Sequence, residues 1–185
     1  MNCTSCNEGR LLPSFIDGQF RAHTCNSCGG NWVLIEDYVA WKERNQDYQF
    51  FEDISFSEDE VEDSKRALFC PVSGTIMRKF RISAQNEHKL DYSSVMGGLW
   101  LDKGEWELLK NEGLAGSLNA VVTQNWQKGI REQNAKQTLT DVYKAKFGEE
   151  AYEKIKELRH WLLAQDQKAD LRAYLMAEDP YSAEK

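Results

Sequence analysis

Four of the five cysteines fall into two Cys-x-x-Cys pairs, Cys3-Thr4-Ser5-Cys6 and Cys25-Asn26-Ser27-Cys28, with eighteen residues between them. Thiols at this spacing sit on two tight turns that can face one another across a tetrahedral metal, the arrangement of a structural four-thiolate zinc site. Cys3, Cys6, Cys25 and Cys28 are therefore the candidate ligands of one structural Zn2+ per chain. Gly29-Gly30 follows the second pair, where glycine lets the backbone curl and bring its N–H groups toward the sulfurs. Other uses of the thiols carry less weight. A disulfide needs an oxidising compartment, and the first residues show neither the basic start nor the apolar stretch of a secretion signal, so the expected location is the reducing cytoplasm. A redox Cys-x-x-Cys wants a βαβ setting, and none precedes either pair. Iron shares the ligand set and is kept as the minority metal.

Residues 10–24, between the pairs, centre on Asp17-Gly18 flanked by short runs containing apolar residues, the signal of a β-hairpin. A hairpin joining two cysteine turns is the plan of a zinc ribbon. About forty residues is too few to stand without a clamp, and structural zinc supplies an apparent ~10–16 kcal/mol. His23 lies two residues before Cys25 and is read as a strand residue, because four thiolates already complete the metal's shell.

Laid on itself, the chain repeats. Cys28-Gly29-Gly30-Asn31-Trp32 has a counterpart in Met96-Gly97-Gly98-Leu99-Trp100, and working backward Cys25 corresponds to Ser93, Cys6 to Ser73 and Cys3 to Cys70. Residues 70–112 are thus a second copy with three of four ligands gone. Its strands survive at 75–82 and 89–92, joined through Gln85-Asn86-Glu87, with alternation at Phe80, Ile82, Leu90 and Tyr92. One thiolate, one thioether and two hydroxyls make a poor zinc site, even with His88 nearby. The copy is read as metal-free, with Cys70 a small buried hydrophobe. A lobe this small must pack on something else, and the C-terminal third is the candidate.

Together the two copies carry a signature that resembles the transcription factor IIB-type zinc-ribbon family: Cys-Pro-x-Cys, a hairpin, then Cys-x-x-Cys-x-Gly-x-Trp-Leu-Asp-x-Gly-Glu. The first copy holds all four thiolates but continues Val33-Leu34-Ile35-Glu36-Asp37 after Trp32. The second holds Cys70-Pro71 and the full tail Trp100-Leu101-Asp102-Lys103-Gly104-Glu105. The resemblance covers residues 3–41 and 70–110. It implies a zinc-binding module of a family described as transcription factors; fold alone does not carry that function across.

Each tail is expected to feed a short helix, 36–44 and 103–112, with Trp32, Trp41, Trp100 and Trp106 packing against the hairpins. Residues 52–63 hold seven acidic residues and no basic one, which reads as a solvated linker. Beyond it, Leu114, Leu118, Val121, Val122, Trp126 and Ile130 recur at the spacing of one helical face, with Ser117 as a candidate cap. Further helices are expected from Thr138 to Phe147-Gly148 through a capping-box sequence, from Glu149 through Leu162, and from Asp166 to Asp179-Pro180.

Charge weighs against nucleic acid. The chain has 23 Lys+Arg and 30 Asp+Glu, a net charge of −7, and no segment shows the basic footprint of a phosphate reader. Residues 113–185 balance at 11 basic and 11 acidic, and residues 1–41 have Arg10 and Arg21 against four acids. No apolar run is long enough to span a bilayer. Phosphate-binding glycine loops are missing, and His23, His88 and His160 stand far apart without a nucleophile pattern.

The expected fold class is α+β: a small β-hairpin zinc ribbon and a second, degenerate, metal-free ribbon packed on an α-helical C-terminal region. The expected divisions are a zinc ribbon at 1–43, an acidic linker at 44–69, the degenerate repeat at 70–112 and a helical region at 113–180. The expected role is non-enzymatic: a zinc-binding protein-interaction or regulatory adaptor in the cytoplasm whose partner is another protein, with no membrane association. A nucleic-acid-binding transcription factor is the alternative, and an iron-based electron carrier the third.

Overall fold

A computed structural model describes residues 1–50 and 61–181. Two compact units divide it, Met1–Gln133 and Asn134–Lys185. The acidic stretch falls largely on 51–60, outside the described residues.

The first unit is built on one antiparallel six-stranded sheet. Its strands are β1 (Leu11–Ile16), β2 (Phe20–Cys25), β3 (Asn31–Leu34), β4 (Arg78–Arg81), β5 (Lys89–Ser93) and β6 (Gly98–Leu101), arranged β1-β2-β3-β6-β5-β4. The predicted Asp17-Gly18 turn closes β1 onto β2. Both residues have positive φ, 49° and 70°, and the Gln19 N–H bonds the Ile16 carbonyl at 2.8 Å, the backbone that suits a right-twisted hairpin. Asp17 is pinned by the Trp106 indole N–H at 2.7 Å and the Lys110 ammonium at 3.2 Å.

The two repeats meet at the centre of this sheet. β3 of the first copy pairs with β6 of the second, Trp32 opposite Trp100, with Asn31 opposite Leu101 and Val33 opposite Leu99. Exchanging the copies maps the second of these pairs onto the third, which is the pattern of a two-fold, isologous interface inside one chain. Glycine makes the seam close. A Cβ on Gly30 would lie 2.3 Å from Trp100 Cζ2, and one on Gly98 would lie 2.2 Å from Trp32 Cζ2. Each copy's indole therefore occupies the space left by the other's missing side chain. The sequence suggested support for the second copy from the helical region; this strand pairing is additional to it.

Period-two alternation gives the sheet two cores. One face carries Phe20, Ala22, Val33, Leu90, Leu99 and Leu101 toward the helices; the other carries Cys3, Leu11, Cys25, Trp32, Leu68, Cys70, Met77 and Trp100. Both copies feed both cores. On the helical side lie α1 (Ile35–Arg44) and α2 (Glu105–Asn111), close to their expected spans. Phe20, Tyr38, Trp41, Tyr48, Phe50 and Trp106 form a chain of edge-on and tilted rings with centroids 5.1–5.7 Å apart, a favourable aromatic geometry. The Tyr38 hydroxyl donates to the Ala115 carbonyl at 2.8 Å, and burial pushes its pKa up to about 12.

The apolar face read as one helix across 114–130 is broken. A 3-10 turn (Ala115–Ser117) leads into α3 (Leu118–Val121), and then α4 (Gln124–Phe147) begins. Ser117 makes no side-chain cap bond. Thr123 interrupts the run, because its hydroxyl accepts the Trp126 N–H at 3.2 Å and so starts a new helix. The break lets Leu118, Val121 and Ile130 all reach buried positions. As expected, these helices pack on the second copy: the Trp126 indole donates to the Ile82 carbonyl at 3.0 Å, and the Gln127 amide exchanges bonds with the Arg81 backbone at 2.8 and 3.2 Å. Residues 61–69, assigned to the linker from sequence, take part in the same fold. Val61 packs on the helical core, the Glu62 N–H bonds the Lys103 carbonyl at 2.9 Å, and Leu68 is buried.

The second unit holds the rest of α4, α5 (Glu149–Leu163) and α6 (Lys168–Met176). The helix start expected at Thr138 is instead the interior of α4. Its hydroxyl donates back to the Asn134 carbonyl four residues earlier at 2.9 Å, so it continues the helix rather than capping one. Gly148, at φ 83°, separates α4 from α5 as the sequence implied. Leu139, Val142, Tyr143, Phe147, Ile155 and Trp161 are exposed in this unit. Among the described residues no helix is long and apolar enough to cross a membrane.

Candidate metal centre

The four predicted ligands converge. Cys3 and Cys6 lie on the turn before β1, Cys25 ends β2, and Cys28 lies on the turn before β3. All four sulfurs lie within 4.8 Å of one another. Cys3 Sγ is 3.7 Å from Cys28 Sγ, and Cys6 Sγ is 3.7 Å from Cys25 Sγ. This separation tests the site. A disulfide needs about 2.05 Å, whereas ligands about 2.3 Å from the centre of a tetrahedron sit roughly 3.8 Å apart. The sulfurs are spaced as a four-thiolate metal requires.

Backbone donors prepare the thiols for that charge. The Cys6 N–H points to Cys3 Sγ at 3.4 Å, the Gly9 N–H to Cys6 Sγ at 3.3 Å, and the Ser27 N–H to Cys25 Sγ at 3.4 Å. The amides of Glu8 and Gly9 bring the Cys6 thiol down to about 6. Burial works the other way on Cys3 and Cys28, raising both thiols, and on Cys28 the Gly30 amide opposes the rise. A cation among the sulfurs supplies the charge that burial withholds. Of the two glycines singled out from sequence, Gly30 acts on a sulfur, while the Gly29 N–H bonds the Cys25 carbonyl at 3.1 Å.

Sequence reading passed over Gly9. A Cβ there would sit 2.3 Å from Cys25 Sγ, so only glycine lets the first turn close over the second pair. Its position, three residues after Cys6, was the available signal. Asn26 was also missed: its side-chain oxygen takes the Arg10 N–H at 2.8 Å and its own N–H bonds the Arg10 carbonyl at 3.1 Å, strapping the turns together. His23 stands opposite Trp32 in β2 and lies outside the sulfur group.

The second copy retains the turn without the clamp. The Ser73 N–H points to Cys70 Sγ at 3.4 Å, as the Cys6 N–H does to Cys3 Sγ, and the Cys70 N–H bonds the Thr75 carbonyl at 2.8 Å, as the Cys3 N–H bonds that of Gly9 at 2.9 Å. Burial alone would raise the Cys70 thiol; hydrogen bonds from Ser73 and Ser93 outweigh it and bring the thiol down. The spacer between the first two ligands is held by the second copy's approach segment. Thr4 bonds both the N–H and the carbonyl of Phe69, and the Ser5 hydroxyl reaches Ser64 at 3.0 Å and Asp102 at 3.1 Å.

A hairpin between two paired-cysteine turns, with sulfurs at tetrahedral spacing, defines a zinc-ribbon-type metal module. Residues 2–44 match the sequence model of the transcription factor zinc-finger family, the TFIIB-type zinc ribbon. Comparison with curated proteins and with solved structures yields no match.

Proposed function

We propose that the chain binds one Zn2+ through Cys3, Cys6, Cys25 and Cys28, that the ion is structural, and that the protein is a non-catalytic interaction or regulatory adaptor of a reducing compartment such as the cytoplasm. The tetrahedral spacing of the sulfurs carries the metal reading. Bound there, the ion cross-links the turns that flank the first hairpin. The protein's residues do the rest: Gly9, Gly30 and Ser27 present amides to sulfur, and Asn26 and Arg10 tie one turn to the other.

The adaptor reading is supported by the helical unit. A hollow of about 590 Å³ there is lined by Leu139, Tyr143, Phe147 and Ile155 together with Lys136, Lys156 and Arg159. Exposed apolar side chains in a polar frame are what partner proteins cover. Elemental analysis should find one zinc per chain in colourless protein; iron with a reversible redox wave would overturn that assignment. A partner retained by the full chain and lost from the Tyr143→Ser, Ile155→Ser double variant supports the adaptor reading. Family description favours the nucleic-acid alternative and the net charge of −7 opposes it. Tight binding in an anisotropy titration with a steep salt slope would reverse that preference.

A further inference from the structure

Apart from the thiols, the described residues bring a second set of ligand-type side chains together: Asp63, Asp102 and Glu105, each with an oxygen within 4.8 Å of the others. Asp102 and Glu105 are 3% and 1% exposed. Three different pieces of chain supply them: the approach to the second copy, the end of β6 and the first turn of α2. Asp102 is held firmly. Its Oδ1 accepts the Trp100 indole N–H at 2.7 Å and the Ser5 hydroxyl at 3.1 Å, and its Oδ2 accepts the Ser64 N–H at 2.7 Å. Glu105 Oε2 accepts the Asp102 N–H at 2.8 Å. Two more oxygens, Asp63 Oδ1 and Glu105 Oε1, are buried without a hydrogen-bond partner among the described residues.

A fourth carboxylate, on a separate strand, adds an independent observation. Asp91 of β5 stands directly opposite Trp100, which places it on the same sheet face as Trp100 and Asp102. It is 1% exposed; its Oδ2 takes the Lys79 ammonium at 2.8 Å, and its Oδ1 has no partner among the described residues. Lys79 also bonds the Ser64 carbonyl, beside Asp63. Burial first, and then the charges of Asp102 and Asp63, push Asp91 up to about 6 and Glu105 well above the usual carboxylate range. Three buried carboxylates and the half-buried Asp63 thus gather near one ammonium, that of Lys79 on Asp91, and a buried charge without a partner is costly.

We propose that Asp63, Asp102 and Glu105, with Asp91 on the same sheet face as Asp102, form a second metal site that takes a hard divalent cation of the Ca2+ type. The donors are oxygen only, which selects against zinc-like and copper-like ions. Ca2+ accepts a flexible shell of protein oxygens, whereas Mg2+ demands near-ideal octahedral geometry and keeps several of its waters, so three carboxylates converging from separate pieces of chain suit the larger ion. Trp100, Ser5 and the Ser64 amide orient Asp102 as supporting donors orient a ligand. Asp63, the half-buried member, marks the way in. The site joins the zinc-side turn, through Ser5, to the metal-free copy.

Trp100 offers a direct readout, because an indole bonded to a ligand carboxylate sensitises a bound lanthanide. Zinc-loaded full-length protein is titrated with Tb3+ under tryptophan excitation, then with Ca2+ and Mg2+ as competitors. The expected result is one saturable Tb3+ per chain, displaced by Ca2+ at lower concentration than by Mg2+, with zinc content unchanged and a melting temperature raised by millimolar Ca2+. Glu105→Gln keeps the oxygen that accepts the Asp102 N–H and should weaken Tb3+ binding at least tenfold. Asp63→Asn, at the least buried member, should do the same if Glu105→Gln fails to fold. Glu153→Gln on α5 should change nothing. No sensitised emission, or emission that survives both cluster variants, would overturn the site. A melting temperature raised by Glu105→Gln together with indifference to Ca2+ would show that protons, not a cation, neutralise the cluster.

Discussion

The two ribbon copies share a plan and solve the same problem differently. The first, with β1 at the sheet edge and Leu12 and Phe15 exposed on it, gathers four sulfurs for a cross-linking ion. The second keeps the turn hydrogen bonds at Cys70 and Ser73 but has only one of the four thiols. Every residue of its β6 is buried, and its hairpin is roofed by Trp126, Gln127 and the helices around them. Both copies feed the shared cores, so the difference lies in the turns: in one copy they bring together four thiols that a metal can cross-link, and in the other they keep their hydrogen bonds with a single thiol. The seam between β3 and β6 means that the clamp in one half also steadies the other.

Removing the clamp is the most severe way to break the comparison. Chelation, or Cys6→Ser, should remove most of the ~10–16 kcal/mol that a structural zinc contributes. If the second copy leaned on the helical region alone, residues 70–180 would keep their protection. The β3–β6 pairing predicts instead that amide exchange accelerates in 98–101 along with 11–34. Intact protection at 98–101 after chelation would restore the picture of separate lobes.

Next in size are the seam glycines. Gly98→Ala places a methyl 2.2 Å from the Trp32 ring, and Gly30→Ala one 2.3 Å from the Trp100 ring. Each should cost about 1–3 kcal/mol by overpacking, read by denaturant melts. Similar losses would show that the pseudo-two-fold is energetic as well as geometric. A cost confined to one glycine would show that one copy yields.

A smaller effect concerns pH. Asp91 has a folded pKa of about 6 against an ordinary 3.8, so between these values the native state binds more protons than the unfolded chain. Its contribution to stability therefore falls as pH rises through that window. Relative to the parent protein, Asp91→Asn without added divalent cation should gain stability from pH 4 to pH 6, with the difference levelling off above. A flat difference would mean that the carboxyl ionises as easily in the fold as outside it.

Smallest of all should be Cys70→Ser. The turn amides donate to an oxygen as readily as to a sulfur, so zinc content should stay unchanged, and the loss of stability should be about 1 kcal/mol or less. Loss of zinc in this variant would link the second copy to the metal directly.

Much of the site was legible because thiol spacing, an Asp-Gly turn and a repeated Gly-Gly-x-Trp are local signals. Cys3, Cys6, Cys25 and Cys28 come together where those signals place them, and both tail helices follow their tryptophans. Gly9 had a local cue in its place three residues after Cys6, whereas the work of Asn26 is done across the pair of turns, by contacts that no single stretch of chain encodes. Asp102 and Glu105 were visible as part of a motif, but their burial beside Asp63 and Asp91 depends on how four segments meet. The helix breaks failed for a similar reason. Thr123 and Thr138 have the same side chain, and only the surrounding packing decides that one opens a helix while the other lies inside it.

The reciprocal fit of each indole over the opposite glycine has a consequence for how molecules can pair. The complementary halves are both carried by every polypeptide, so the contacts are the same whether the strands that meet belong to one molecule or to two. At high concentration, two molecules could trade their amino-terminal portions and lose nothing at the joint. Within one molecule the pairing is favoured by the effective concentration that the intervening chain sets, a quantity fixed by the length and stiffness of that chain and not by the surfaces it brings together.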